Sequence, residues 1–136
     1  VLANGAASTG KKVTMFFTFW GLNVIKKRHK PSVEKDIFGK MFGMMLPSSS
    51  KALSLSKMNM GGIGSKMMRH IMQNKRIDSL ESMIQQAIDN DVEMIACTMS
   101  MDVMGVKKEE LLENVGLGGV ATYLERAEGA NMNLFI

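Results

Sequence analysis

Asp91 to Gly105 reads DVEMIACTMSMDVMG. Val92 to Thr98 is a short run, apolar at most positions, of the length and composition of a strand buried on both faces. Cys97, the only cysteine of the chain, ends that run. Thr98-Met99-Ser100-Met101 then begins a turn that opens new helical material. In open α/β sheets the carboxyl ends of strands are where ligands bind. The remaining segments are therefore read as scaffold, lid or partner surface for that point.

Upstream of this stretch, Asp78 followed by Glu81 has the spacing of a reciprocal helix cap, with Asp in the usual place of Ser or Thr. Leu80, Met83, Ile84, Ala87 and Ile88 follow at i, i+3, i+4, i+7 and i+8, the clearest amphipathic helix in the chain. Before it, Ser65 is expected to cap a helix with Met67, Met68, Ile71 and Met72 along one side. Residues 47–57, PSSSKALSLSK, have the composition of a loop, and one this long is more often a functional lid or interface than filler. Ser32, Lys35 and Asp36 can open a helix bearing Val33, Ile37, Phe38, Met41 and Phe42. Residues 13–19, VTMFFTF, are apolar on both faces and predict a central strand. Trp20-Gly21 breaks it at a carboxyl end that lies beside Cys97 if the two strands run parallel. Val1 to Ala7 resembles the second half of a helix, so a strand is expected ahead of it.

Downstream, Lys107 to Glu113 predicts a short charged helix. Gly116, Gly118 and Gly119 are read as a flexible entry into a helix with Val120, Tyr123, Leu124 and Ala127 on one face. Met132 to Ile136 is expected to be the last strand. The order of elements predicts a parallel α/β sheet with helical crossovers.

The chain has 136 residues, about the size of one domain, and is expected to be a single α/β domain with a Met/Gly/Ser-rich excursion at about 40–68. One cysteine excludes an internal disulfide and suits a reducing, cytoplasmic setting. Hydrophobic residues make up 46% while aromatics are only 6%, the gap being filled by fifteen methionines. Thioethers at that density belong to an adaptable core or to a deformable surface for an oligomer or partner. The net charge of +4 is modest and concentrated in Lys26 to Lys30. Without interleaved aromatics that run is a solvated surface rather than a nucleic-acid site. No apolar run approaches the ~20 residues that span a bilayer.

Cys97 leads the candidates for chemistry. Its thiolate is the nucleophile, and backbone N–H groups at a helix start favour that form; Ser100 or Thr98 can add a hydrogen bond to sulfur. A buried, inert cysteine is the competing reading, since free Cys is among the most buried residue types. Asp102 can orient a donor, act as a base, or simply favour the helix dipole. His29 and His70 are distant in sequence, and one Cys with two His offers few metal ligands, so no metal is expected. Gly61-Gly62-Ile63-Gly64-Ser65 is either an anion cradle or a hinge, and it lacks the spacing of a nucleotide-binding loop. No cofactor is expected.

KMNMGGIGSKMM at 57–68, ACTMSMDVMGVKKEEL at 96–111, GGVATYLERAEGANMNLFI at 118–136 and VTMFFTFWGLN at 13–23 resemble the DsrE/DsrF-like family. The likeness is closest to the subgroup found alone or fused to rhodanese, TusA-like and CoA-disulfide-reductase-type modules. The resemblance implies a flavodoxin-like, usually oligomeric α/β domain whose first strand precedes Val1. It also implies that Cys97 takes up and passes on sulfane sulfur, exchanging it with a rhodanese-like or TusA-like partner. Thr98, Met99, Ser100 and Asp102 are expected to support the thiol. Trp20, Gly21, Met58, Met60, Gly61 and Gly62 are expected to wall its entrance. Two other readings stand beside it: a non-catalytic binding or assembly module using the Met-rich surface, and a thiol-dependent peroxide or disulfide reductase that draws on an external thiol.

Overall fold

The computed structural model describes residues 1–27, 37–53 and 61–136. The expected helix start at Ser32 to Asp36, most of the basic run, His29, Met58 and Met60 lie outside them. The described chain is an α/β structure with a three-stranded parallel sheet flanked by helices. That arrangement is consistent with the flavodoxin-like class.

The sheet is built from β1 (Thr14–Phe17), β2 (Glu93–Cys97) and β3 (Val115–Gly118) in the order β1-β2-β3. The register aligns Thr14 with Glu93 and Phe17 with Ala96, then Met94 with Val115 and Cys97 with Gly118. Parallel neighbours need both faces covered, and β2, held on both sides, is buried from Met94 to Cys97. The apolar stretch at 13–19 is not the central strand among the described residues: β1 lies at the sheet edge and is only half-buried. Its apolar character on both faces reflects packing above and below, which an edge strand shares with a central one.

Side-chain alternation sorts the sheet into two faces. On one, Met94, Ala96 and Val115 join Leu22, Ile25, Ala87, Met101, Met104 and Leu111 in the core, with Met15 and Phe17 packed against it. Helix α4 (Leu80–Asp89) covers this side, burying Ala87. Helix α1 (Leu2–Ser8) rests on α4, where Asn4 Nδ2 donates to the Met83 carbonyl at 2.9 Å. The opposite face carries Thr14, Phe16, Glu93, Ile95 and the two strand glycines. It is covered by α6 (Val120–Glu128), whose Tyr123 ring meets Phe16 edge-on with centroids 5.5 Å apart.

Three expectations shift when the chain is folded. Ser79, not Asp78, caps α4, its side chain accepting from the Ser82 N–H at 3.1 Å; Asp78 instead accepts from Gln86 Nε2 at 2.8 Å. Helix α3 (Ile63–Asn74) begins before Ser65, with Gly62 as its cap residue. Most consequential, the third strand is the glycine-containing Val115–Gly118, whereas Met132 to Ile136 forms no strand and is exposed. A Cβ on Gly118 would stand 2.8 Å from Ile95 Cγ2 and 3.1 Å from Thr122. The glycines permit a close approach, and strand propensity counts less here than the space available.

Helix α2 (Ile37–Met45) and the 3-10 helix Phe19–Ile25 both pack beside α5 (Thr98–Met104). Ser50 Oγ donates to Glu81 at 3.0 Å and ties the 3-10 turn Ser50–Ala52 to α4. Among the described methionines, Met94, Met101 and Met104 are buried, while Met41, Met44, Met45 and Met67 are exposed.

Candidate functional site

The site forms where β2 ends and α5 begins. Cys97 belongs to both: it is the last residue of the strand and the cap residue of the helix, with extended dihedrals (φ -71°, ψ 115°). Extended backbone at this position leaves the first N–H groups of α5 without intrahelical partners. Those of Met99 and Ser100 turn toward the sulfur. Gly105, in the left-handed region at φ 61°, closes the helix, and its N–H donates to the Asp102 carbonyl at 3.3 Å.

The Ser100 hydroxyl reaches back one turn to the thiol and is itself 1% exposed. Thr18 comes from the other side. The register that pairs Phe17 with Ala96 carries the next residue of the first strand's chain level with Cys97. Its Oγ1 lies 2.7 Å from Ser100 Oγ and within hydrogen-bonding reach of the sulfur. Immediately afterward Phe19 adopts φ 42°, an uncommon left-handed conformation for a bulky residue. There the extended chain turns into its 3-10 helix, one residue after Thr18.

Cys97 is 7% exposed, and burial alone pushes a thiol toward its neutral form. Here the donors outweigh it. The Ser100 hydroxyl, the Ser100 and Met99 N–H groups and the Thr18 hydroxyl together hold the Cys97 pKa below its ordinary value. Such donors stabilise charge on sulfur without adding a fixed countercharge. The arrangement therefore suits a thiol that must ionise, be modified and return.

The other expected residues take varied positions. Thr98 is exposed, and its hydroxyl donates to the Gly118 carbonyl at 3.4 Å, joining α5 to β3 rather than to sulfur. Met99 projects its side chain to solvent at 58% exposure while its N–H faces the thiol. Asp102 is exposed farther along α5. Trp20 and Gly21 lie in the 3-10 helix that packs beside α5; Trp20 is exposed, and its carbonyl accepts from Asn23 Nδ2 at 3.0 Å. Gly61 and Gly62 hold positive φ values of 67° and 97° at the turn into α3, and a Cβ on either would meet nothing within 4 Å among the described residues.

Thr18 is the residue that the sequence reading missed. The signal was present in TFWG, where a hydroxyl ends a strand parallel to the cysteine strand, but only the register identifies which residue of that segment stands opposite Cys97. Among the described residues no group of three or more His, Cys, Asp or Glu side chains is placed to hold a metal. None of their helices is long and apolar enough to cross a membrane.

Comparison with known proteins identifies relatives of the chain. The whole chain aligns with the uncharacterized protein YrkE of Bacillus subtilis, 42% identical over 136 residues and covering 85% of that protein. It also aligns over its full length with the sulfur carrier protein DsrE2 of Allochromatium vinosum, 34% identical over 140 residues and covering 86% of it. A family profile matches residues 1–135, and the chain belongs to the DsrE/DsrF/DrsH-like family.

Proposed function

We propose that this protein works in sulfur relay, with Cys97 as the residue that accepts and passes on sulfane sulfur. The observation that carries the reading is the setting of the thiol: buried, at a strand end, with hydroxyl and backbone donors that favour its ionised form. Similarity to a protein named as a sulfur carrier supports it. The Cys97 thiolate attacks the outer sulfur of a donor persulfide, R–S–SH. The S–S bond of the donor breaks, R–S⁻ departs, and Cys97–S–SH forms. An acceptor thiolate then attacks the outer sulfur of Cys97–S–SH and regenerates the Cys97 thiolate. Each step exchanges one S–S bond for another, so no external oxidant or reductant is consumed.

One cysteine suffices because the other thiol belongs to the partner. Rhodanese-like and TusA-like proteins are the partner class we assign. The N–H groups of Met99 and Ser100 supply the local stabilisation, and the exposed Trp20 and Met99 side chains frame the approach for a partner's thiol. Exposed methionines on α2 and α3 favour a broader contact surface, for a partner or for a second copy of the chain.

The direct test is intact mass spectrometry after incubation with inorganic polysulfide. A gain of about 32 Da per sulfur, assigned to Cys97 and reversed by a thiol acceptor, is expected. An unchanged mass, under conditions where iodoacetamide labels Cys97, would overturn the proposal.

A further inference from the structure

Thr18 is extended (φ -127°, ψ 153°) and half-buried, while Ser100 is fully buried. Their hydroxyl oxygens are 2.7 Å apart, a separation that places one hydrogen between them. Each hydroxyl has a single hydrogen and two lone pairs. The pair therefore always has one hydrogen committed to itself and one left over. If Thr18 donates to Ser100, the Ser100 hydrogen is released toward sulfur. If Ser100 donates to Thr18, the Thr18 hydrogen is released instead. Rotation about two C–O bonds interchanges the arrangements without moving the backbone.

We propose that Thr18 and Ser100 form one two-position hydroxyl donor to the Cys97 sulfur, with Thr18 as a positioning residue whose hydroxyl serves the outer sulfur of a persulfide. The charge-following part of this inference rests on the sulfur-relay reading. An S–S bond is about 2 Å long, so loading shifts the anionic sulfur outward by roughly that distance. The deeply buried Ser100 donates to the inner sulfur of the free thiolate. Once the charge has moved to the outer sulfur, the pair reverses and Thr18, on the more open side, donates to it. Neutral donors that can be reassigned stabilise both anions; a fixed cation would favour one position.

A double-mutant cycle with Thr18→Val and Ser100→Ala tests the shared donor. The rate of iodoacetamide alkylation at neutral pH reports the unloaded thiolate. Each single substitution frees the remaining hydroxyl to donate, so each is expected to slow alkylation by no more than about threefold, while the double variant, with neither donor, is slowed at least about thirtyfold. Thr18→Ser keeps the hydroxyl and is expected to stay within twofold of the parent. A double variant that matches the product of the singles within twofold would show two independent donors and overturn the proposal. In the loaded protein, Thr18→Val is expected to shorten the lifetime of the Cys97 persulfide about tenfold, against less than threefold for Ser100→Ala. Equal lifetimes for the two variants would overturn the outer-sulfur role. Far-UV circular dichroism confirms folding, and Thr18→Ala replaces Thr18→Val if the latter fails to fold. If the parent protein takes up no sulfur, the relay reading fails by itself, while the alkylation cycle still decides whether the donor is shared.

Discussion

The two ends of β2 solve one problem in different ways. At the amino end Glu93 faces β1, and Thr14 Oγ1 donates to its carboxylate at 2.8 Å. At the carboxyl end, four residues along both strands, Cys97 faces β1 and Thr18 offers it a hydroxyl. Glu93 also receives Arg126, whose Nε and Nη2 contact its two oxygens at 2.9 and 3.2 Å. Cys97 receives Ser100 and backbone N–H groups instead. A carboxylate clamped by a guanidinium keeps its charge and fastens α6 to the sheet. A thiol held by neutral donors is biased toward its anion yet remains able to change state, as a group-transfer residue requires.

The comparison breaks most sharply at Cys97 itself. Cys97→Ser is expected to abolish polysulfide-dependent mass gain completely while changing unfolding free energy by less than about 1 kcal/mol, since the two side chains are close in size. Retention of sulfur loading by the variant would sever the carboxyl end from the chemistry.

Next in size is Gly118→Ala. The new Cβ meets Ile95 Cγ2 at 2.8 Å, in the register position facing Cys97. Relieving that contact is expected to cost about 1–3 kcal/mol, read as a lower urea midpoint. An unchanged midpoint would mean that β3 can retreat freely from β2.

Arg126→Ala should lower the urea midpoint less, because both partners are about one-third exposed and solvent screens them. It is expected to leave the Cys97 alkylation rate within twofold of the parent, and a larger change would show that the two ends are coupled.

The smallest effect is the pH dependence, which separates the ends by range. The Arg126 and Thr14 hydrogen bonds hold the Glu93 pKa below the usual carboxylate range. The stabilisation is therefore complete above that range and disappears as pH falls through the native Glu93 value. The stability gap between the parent and Arg126→Ala should close in acid. Although burial raises it, the Cys97 pKa is lowered overall by Ser100, Met99 and Thr18. Its contribution is complete above the ordinary thiol value of about 8.5 and is lost as pH falls through the native value. The advantage of the parent over Cys97→Ser should therefore grow from neutral pH toward pH 9 or so, and melting curves at several pH values measure both trends.

Much of this site was legible in one dimension. Glu93–Cys97 reads as a buried strand from its run of Met, Ile, Ala and Cys, and Ser100 falls one helical turn after the thiol. The four-residue periodicity of Leu80, Ile84 and Ile88 likewise announces α4. These are local patterns, carried by neighbours along the chain. What stayed hidden was the identity of β3, because Gly116 and Gly118 look like loop residues until Ile95 and Thr122 are packed against them. The apolar tail from Met132 to Ile136 misled for the opposite reason: a sequence suited to a strand has no partner strand among the described residues.

The amino-acid sequence by itself determined that a lone thiol ends a buried strand and stands at the start of a helix, since hydrophobic run, break and helical material are written consecutively from Val92 to Gly105. Only the tertiary structure decided that Thr18 joins it. The hydroxyls of Thr18 and Ser100 are separated by 82 positions in the chain, and they meet because parallel pairing aligns Phe17 with Ala96. A shift of one residue would turn the threonine to the other face of the sheet. Strand register is a property of contacts between distant segments, and for that reason no local pattern encodes it.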